Sequence, residues 1–248
     1  MSGYHGFAGW YDLLTENVPY QARGEYFDGI LRRFGVEPGV LLDLACGTGT
    51  LSMVMEDLGW DVIGVDSSEE MLTQAMNKKI ASGNNILYLC QDMRELDLYG
   101  TVDACICALD SLNHVTSPED VLQIFRRVAA FLEPGGLFVF DVNTPYKHEH
   151  ILSGQTFIYD YDEVYCSWQN SECHDGIIDI TLDLFSLEED GTYYRETEEF
   201  SERAYGQEEL TSLLRQAGLE CFAVYGDDSL SPPGEETQRA VYVARSRK

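Results

Sequence analysis

The chain has 248 residues, of which 44% are hydrophobic, enough to bury the core of one α/β domain with an insertion or a small cap. Its 43 acidic and 16 basic residues give a formal net charge of −27, whereas nucleic acids and anionic membranes both need a basic footprint on their partners. The seven cysteines include no C-x-x-C pair, which argues against disulfides and a zinc site. No stretch resembles a signal peptide or a membrane span. We therefore expect a soluble, cytoplasmic protein.

The first 35 residues predict a helical lid. Aromatic side chains cluster at its start, at Tyr4, Phe7, Trp10 and Tyr11. The stretch from about Tyr20 to Phe34 places apolar residues on one helical face and therefore predicts a helix. We expect this helix to pack on the domain that follows it.

The stretch from Val40 to Ser52 organises the rest of the chain. Residues 40–44 are apolar apart from Asp43 and too few for a helix, so they predict a buried strand, and a helix is expected from about residue 51 to 58. Gly47 and Gly49 in the turn between them have no Cβ, so a ligand can lie against bare backbone there. The free N–H groups of the helix start point to the same place, which makes this turn a small-molecule cradle.

A second strand, Asp61–Val65, ends at Asp66, nineteen residues after Gly47. An acidic side chain at this position can accept two hydrogen bonds from a ribose diol. A glycine turn followed by such an acid predicts a cofactor that contains a nucleoside.

The glycine turn differs from a dinucleotide-binding fingerprint, because Ser52 stands where that fingerprint has its third glycine. Asp43 at the strand end would repel a pyrophosphate and attract a cationic ammonium or sulfonium group. The run Leu42–Gly49 resembles the first motif of the class I S-adenosylmethionine-dependent methyltransferases. This resemblance implies that Asp43, Ala45 and Gly47 bind S-adenosylmethionine, which leaves S-adenosylhomocysteine as product.

Phe7–Leu13 resembles the Phe-Ala-x-x-Tyr-Asp opening of many small-molecule methyltransferases. The resemblance implies that the tyrosine of this motif, here Tyr11, closes over the cofactor and the reacting methyl group. Arg23 lies nearby in sequence and has two interpretations, a surface charge or a partner for the cofactor carboxylate.

Residues after Asp66 extend the resemblance. A helix capped by Ser68 is expected to run to about Ala81 and to stop at Gly83. The resemblance implies that Ser67 and Met71 approach the adenosine, although Met71 is equally explained as a core residue facing the sheet.

The third strand is expected at residues 86–90 and is followed by Asp92 and Met93. A carboxylate at this strand end can accept a hydrogen bond from the exocyclic amine of adenine, and the methionine can pack on the adenine ring. Taken alone, Asp92 would be a turn former, but its position one strand after the ribose acid matches the adenine-contacting acid of the family.

The fourth strand is expected at residues 102–109 and leads into the polar loop 110–115. Ligands of an open parallel sheet collect at the carboxyl ends of its strands, so this loop should lie beside the reactive end of the cofactor. The resemblance implies that Leu109 and Asp110 flank the methyl-bearing sulfur, with Asn113 and His114 near the substrate. His114 is the best-placed general base because a histidine pKa lies near working pH, although a plain loop histidine is as good an interpretation.

The remaining core elements follow the family order. A helix is expected from Pro118 to Leu132 with Ser117 as cap, then a turn at residues 133–136 and a fifth strand at 137–142. Leu-x-Pro-Gly-Gly before an apolar strand is another hallmark of the family. A helix at 207–216 and two strands at 220–225 and 239–244 complete the prediction.

Alternating apolar and polar residues between 156 and 204, with turns at 174–176 and 190–191, predict antiparallel hairpins with one wet face. The predicted fold is therefore α/β, a Rossmann-like, mainly parallel seven-stranded sheet with helices on both faces plus an inserted antiparallel β cap. The core is expected at 1–144 and 205–248, with the lid at 1–35 and the cap at 145–204. Residues 145–205 contain fifteen acids and three bases. These acids either keep an exposed layer soluble or concentrate a cationic substrate.

The predicted function is methyl transfer from S-adenosylmethionine to a small-molecule amine or hydroxyl by in-line displacement, which needs positioning and water exclusion and no metal. His114 and Tyr11 are the catalytic candidates, Tyr159 and Tyr161 are weaker ones, and residues 147–150 are interpreted as a solvated segment and not as metal ligands. The alternatives are a nicotinamide-dependent oxidoreductase and a non-catalytic cofactor-binding protein. We expect a monomer or a homodimer with no nucleic acid or membrane partner.

Overall fold

A computed structural model describes residues 6–226 and 229–247 of the protein, so Tyr4 of the predicted aromatic cluster lies outside the described residues. The helices are α1 Phe7–Leu14, α2 Tyr20–Arg33, α3 Thr50–Asp57, α4 Glu69–Ser82, α5 Pro118–Phe131 and α6 Gln207–Gln216. The strands are β1 Val40–Leu44, β2 Asp61–Asp66, β3 Leu87–Cys90, β4 Val102–Cys107, β5 Leu132–Asn143, β6 Thr156–Asp160, β7 Val164–Asn170, β8 Ile177–Leu187, β9 Tyr193–Arg203, β10 Leu219–Gly226 and β11 Arg239–Ser246. Short helical turns occupy Met93–Glu95, Ser111–His114 and Lys147–Leu152.

Seven strands form the main sheet in the order β10-β11-β5-β4-β1-β2-β3. All neighbours pair in parallel except β11, which is antiparallel to both β10 and β5. The chain leaves β1 towards β2 and β3 on one side and reaches β4 and β5 on the other. A crevice forms where the strand order reverses, at the carboxyl ends of β1 and β4. The predicted fold class is confirmed.

Two hydrophobic layers cover the faces of this sheet. Apolar residues of α5 and α6 pack on one face, and those of α2 and α3 pack on the other. The central strands are buried on both faces, which explains why they read as continuous apolar runs.

The predicted ends of α4 and α5 are confirmed. Ser68 accepts a hydrogen bond from the Met71 amide, and Ser117 accepts one from the Asp120 amide. Gly83 ends α4 in the left-handed conformation at φ 75°. These signals are local, so the sequence was sufficient to locate them.

The fourth and fifth strands differ from the prediction. The expected turn at residues 133–136 lies inside β5, because Val102 pairs with Leu132 while Ala104 pairs with Leu137. The extra residues form a bulge against β4, so the Pro-Gly-Gly segment bends the strand and does not end the pairing. β4 ends at Cys107, two residues earlier than expected, because Leu109 and Asp110 adopt positive φ of 57° and 55°.

The predicted hairpins form a second, antiparallel sheet in the order β6-β7-β8-β9, here called the cap sheet. Helix α1 lies between this sheet and the glycine turn. Its Trp10 donates from Nε1 to Ser186 Oγ at 2.8 Å, and Asp12 accepts from the Thr48 hydroxyl at 2.6 Å. The cap sheet is thus connected to the glycine turn through α1.

Residues 147–150 are not the solvated segment that the sequence indicated. Lys147–Leu152 form a helical turn in which His148 is fully buried while His150 stays exposed. The segment packs against the turn before β8, and no local sequence pattern predicts this packing. Among the described residues, no helix has the length and apolar character required to cross a membrane.

Candidate functional site

Three cavities lie around the crevice at the carboxyl ends of the parallel strands. The first, here the Asp66 cavity, has a volume of about 270 Å³ and follows the ends of β2 and β3. The second, the Tyr20 cavity, measures about 30 Å³ beside the glycine turn. The third, the cap cavity, measures about 190 Å³ and lies between the end of β4, α1 and the cap sheet.

Four residues each line two of these cavities. Ala45 lines the Asp66 and Tyr20 cavities, and His114 lines the Asp66 and cap cavities. Tyr11 and Leu109 both line the Tyr20 and cap cavities. The three cavities therefore adjoin, and these four side chains mark where they meet.

Most of the residues predicted to bind the cofactor line these cavities. Asp66, Ser67, Asp92 and Met93 line the Asp66 cavity, Asp43 and Gly47 line the Tyr20 cavity, and Asp110 lines the cap cavity. Arg23 and Met71 line none of the three, and Met71 is half-buried on α4. The carboxyl ends of β1, β2, β3 and β4 bring the other residues together, as the parallel topology requires.

The glycine turn presents bare backbone to the crevice. Ala45, Gly47 and Gly49 have φ of 60°, 55° and 74°. A Cβ built on Gly47 would meet no atom within 4 Å, so that side of the turn is open. Asp66 accepts from the Gly47 amide at 2.9 Å through Oδ2 and from the Ser68 amide at 2.9 Å through Oδ1, which holds its carboxylate at the turn.

Asp43 is a buried carboxyl that lines the Tyr20 cavity. It accepts a hydrogen bond from Ser52 Oγ at 2.5 Å. Burial raises the pKa of Asp43 to about 7, against the lowering effect of the Ser52 hydroxyl and with a smaller contribution from Asp66. Ser52, which replaces the third glycine of a dinucleotide fingerprint, is therefore the partner of Asp43.

Asp92 is paired with Arg94, a residue that sequence reasoning missed. Its carboxylate accepts from the Arg94 amide at 2.8 Å and from Arg94 Nε at 2.9 Å, and these bonds lower the pKa of Asp92. Arg94 also reaches Asp120 Oδ2 at 3.2 Å. The arginine follows the predicted acid by two residues, and that spacing was the available signal.

A buried network around Asp141 holds the loop after β4. Asp141 is fully buried and accepts from the Leu109 amide at 3.2 Å and the Asp110 amide at 2.7 Å. Its two oxygens also pair with Arg23 Nη1 at 2.9 Å and Arg239 Nη1 at 2.6 Å. The surface-charge interpretation of Arg23 is therefore wrong, because the side chain is buried against a carboxylate of β5.

Asp110 belongs to the same network. Burial alone would raise the pKa of Asp110, but the nearby Arg239 and Lys147 outweigh it and lower the pKa to about 2. Arg239 Nη2 donates to Asp110 Oδ1 at 2.7 Å, and Asn143 Nδ2 donates to Oδ2 at 2.9 Å. Asp110 is thus an anion fixed at the base of the cap cavity.

Two histidines flank one glutamate of the cap. Glu202 on β9 is 3% exposed, with Oε1 3.6 Å from His114 Nε2 and Oε2 3.6 Å from His148 Nε2. The His114 ring also lies 5.0 Å from the ring of Phe200. Sequence reasoning found His114 and missed the other residues, because they lie 34 to 88 positions further along the chain.

We expect Asp141→Asn to lower the free energy of unfolding by about 3–5 kcal/mol, because the change leaves two arginines beside a buried neutral amide. Chemical denaturation followed by circular dichroism measures this loss. Asp57→Asn, which changes an exposed residue of α3, is the matched control and should shift the value by less than about 0.5 kcal/mol. Equal stabilities of the two variants would contradict the structural role of the network.

Comparison with known proteins shows what this chain is similar to. A family model described as a methyltransferase domain matches residues 41–136. YqeM of Bacillus subtilis (strain 168), a methyltransferase by name, is 32% identical over 246 residues, covering 99% of this chain and 98% of that protein. A glycine/sarcosine/dimethylglycine N-methyltransferase of Actinopolyspora halophila is 26% identical over 245 residues, covering 95% of this chain and 40% of that protein.

The fold gives the same result. The crystal structure of an S-adenosylmethionine-dependent methyltransferase from Clostridium acetobutylicum ATCC 824 superposes with a TM-score of 0.88 at 29% identity, and the match covers 96% of each chain. The nicotinamide-dependent and non-catalytic alternatives are therefore set aside. The chain belongs to the class I S-adenosylmethionine-dependent methyltransferases, with S-adenosylmethionine as its cofactor.

Proposed function

We propose that the protein methylates a small-molecule amine, with His114 as general base. The observation that carries this proposal is the position of His114, whose side chain lines both the Asp66 cavity and the cap cavity. A base at that junction can take a proton from an acceptor in the cap cavity next to the cofactor.

The residues present fit S-adenosylmethionine. In the proposal the adenosine occupies the Asp66 cavity, with Asp66 on the ribose and Asp92 and Met93 at the adenine, and the methionine portion occupies the Tyr20 cavity. The open side of Gly47 and the buried Asp43 carboxyl support this arrangement, because the cofactor needs close backbone and a counter-charge for its sulfonium. Ser67 lines the Asp66 cavity, and Ala45 lines both the Asp66 and the Tyr20 cavities.

When bound, S-adenosylmethionine would supply an electrophilic methyl group, whose bond to sulfur would break as the acceptor lone pair forms the new bond to carbon, with S-adenosylhomocysteine as the leaving group. The side chains of the protein deprotonate, position and shield the acceptor. His114 takes the proton of the ammonium form, so that the nitrogen lone pair becomes available. Burial raises the pKa of Tyr11, so its hydroxyl stays neutral and orients the acceptor by hydrogen bonding. Helix α1 and the cap aromatics exclude water.

An amine is favoured over a hydroxyl by the charges of the cap cavity. Asp110 and Glu202 both line it, and two carboxylates stabilise an ammonium ion more than a neutral alcohol. The Actinopolyspora halophila relative named above is an N-methyltransferase, which supports the same choice.

A contact between Arg23 and the cofactor carboxylate, and one between Met71 and the adenosine, remain predictions.

Asp66→Ala should weaken binding of S-adenosylhomocysteine at least tenfold, because the ribose loses its charged acceptor and the Gly47 amide loses its partner. Isothermal titration calorimetry measures the change. Asp61→Ala, at the opposite end of β2 and exposed, is the control and should bind normally. Unchanged affinity in Asp66→Ala would refute the ribose assignment.

We expect the affinity for S-adenosylmethionine relative to S-adenosylhomocysteine to rise between pH 6 and pH 8. Burial raises the pKa of Asp43 to about 7, so the carboxyl is protonated below that pH and becomes an anion above it, and only the anion attracts a sulfonium. Titrations with both compounds at each pH isolate the sulfonium charge. In Asp43→Asn the ratio should be independent of pH, and a wild-type ratio that is also independent of pH would contradict the role of Asp43.

His114→Gln should lower kcat/KM for an amine acceptor about 10²- to 10³-fold near pH 7. The deficit should shrink at higher pH, because more of the amine is already deprotonated in solution. Formation of S-adenosylhomocysteine gives the rates. His150→Gln, which changes an exposed histidine, should retain wild-type rates, and a His114→Gln variant as active as wild type would exclude the general base.

A further inference from the structure

We infer that the acceptor is an organic cation with an apolar body and no carboxylate or phosphate beside its nitrogen, and that Glu202 is the residue that recognises it. This inference rests on the proposed function and specifies the class of substrate. Three features of the cap cavity support it, namely the placement of Glu202, the aromatic walls and the engagement of Arg239.

His148 lies directly behind Glu202. The His148 Nδ1 atom lies 3.1 Å from the Gly176 carbonyl oxygen, which can only accept, so Nδ1 carries a proton. Nε2 is buried, has no hydrogen-bond partner among the described residues, and faces Glu202 Oε2 at 3.6 Å. At 3.6 Å neither His148 nor His114 is within hydrogen-bonding distance of Glu202, so the carboxylate oxygens remain available to a ligand in the cap cavity.

A bound ammonium group supplies what this arrangement lacks. Glu202 is almost fully buried and lines the cap cavity, so a cation there would meet a carboxylate shielded from water. The ammonium ion also carries N–H donors for the carboxylate oxygens, and charge-assisted hydrogen bonds of this kind are the strong ones. The recognition group therefore comes from the cap, whereas the cofactor site comes from the main sheet.

Aromatic rings form much of the remaining wall. Phe7 and Tyr11 of α1 face the cavity together with Tyr159, Trp168 and Phe200 of the cap sheet. Burial raises the pKa of both Tyr11 and Tyr159, so these rings stay neutral. Aromatic faces attract organic cations and cover an apolar substituent, and they offer nothing to an anion.

The basic side chains that line the cavity within the described ranges are His114 and Arg239. Arg239 donates to Asp141 at 2.6 Å and to Asp110 at 2.7 Å, so its guanidinium is engaged by the network below the cavity. A carboxylate on the acceptor would approach the carboxylates of Asp110 and Glu202. The arginine that lines the cavity is already paired and would not balance this added negative charge. The cavity therefore discriminates against amino acids and favours the corresponding amines.

Matched pairs of compounds test this inference. Methylamine with glycine and 2-phenylethylamine with phenylalanine differ by one carboxylate each. Binding to the wild-type complex with S-adenosylhomocysteine is measured by calorimetry, and turnover with S-adenosylmethionine is measured by product formation. We expect each amine to bind at least tenfold more tightly than its amino acid and to have the higher kcat/KM.

Glu202→Gln keeps the side-chain shape and removes the charge, so it should weaken amine binding about tenfold and leave S-adenosylhomocysteine binding unchanged. Glu199→Gln, an exposed residue of the same strand, is the matched control and should bind amines normally. The preference of the wild-type protein for amines over amino acids is measured separately, so it still tests the inference if Glu202→Gln fails to fold.

The outcomes separate the two proposals. Amino acids that bind as tightly as their amines, amines that fail to bind, or a folded Glu202→Gln variant with unchanged amine affinity would each overturn the inference. Amines that bind to wild type with the expected preference but are never methylated would contradict the proposed function and leave the assignment of the cavity to organic cations intact.

Discussion

The buried carboxylate of Asp141 is the interaction on which the site depends. It binds two backbone amides of the loop after β4 and two arginines that come from α2 and β11. The loop residues Leu109 and Asp110 have positive φ, a conformation that non-glycine residues rarely adopt without support. Because the charges are paired and hydrogen-bonded, the network stabilises this conformation at an otherwise costly buried position.

The network also determines which charges remain for chemistry. Arg239 is engaged by Asp141 and Asp110, so the cap cavity keeps its acidic character although a guanidinium lies at its base. Asp43 illustrates the opposite case, since it is buried without a cationic side chain and its pKa is raised. One sheet edge thus holds a carboxylate that stays ionised and one that can be neutral near pH 7.

Helix α1 connects the two parts of the site. Asp12 binds the glycine turn and Lys78 of α4, while Trp10 binds the cap sheet. Tyr11 lies between these contacts and lines both the Tyr20 and cap cavities. The proposed cofactor and acceptor sites are therefore built from separate layers that meet at one helix, which suits a reaction that depends mainly on positioning.

Local signals allowed the sequence by itself to determine the glycine turn, the acids at the strand ends, the serine caps and the alternating strands of the cap. Each depends on residues within a few positions of one another, so backbone conformation and periodicity suffice to predict it. The parallel topology then placed most of the candidate residues at one sheet edge. The family resemblance supplied the roles of Tyr11 and of Leu109 and Asp110 in the loop after β4.

Tertiary structure alone decided the rest. Arg23 is buried against Asp141, a residue 118 positions further along the chain, and His148 is buried against the turn before β8. Glu202 lies 3.6 Å from His114, which brings the cap next to a loop of the main sheet. Such contacts depend on how separate layers pack, and a charged residue leaves the same local pattern whether it faces solvent or a distant partner.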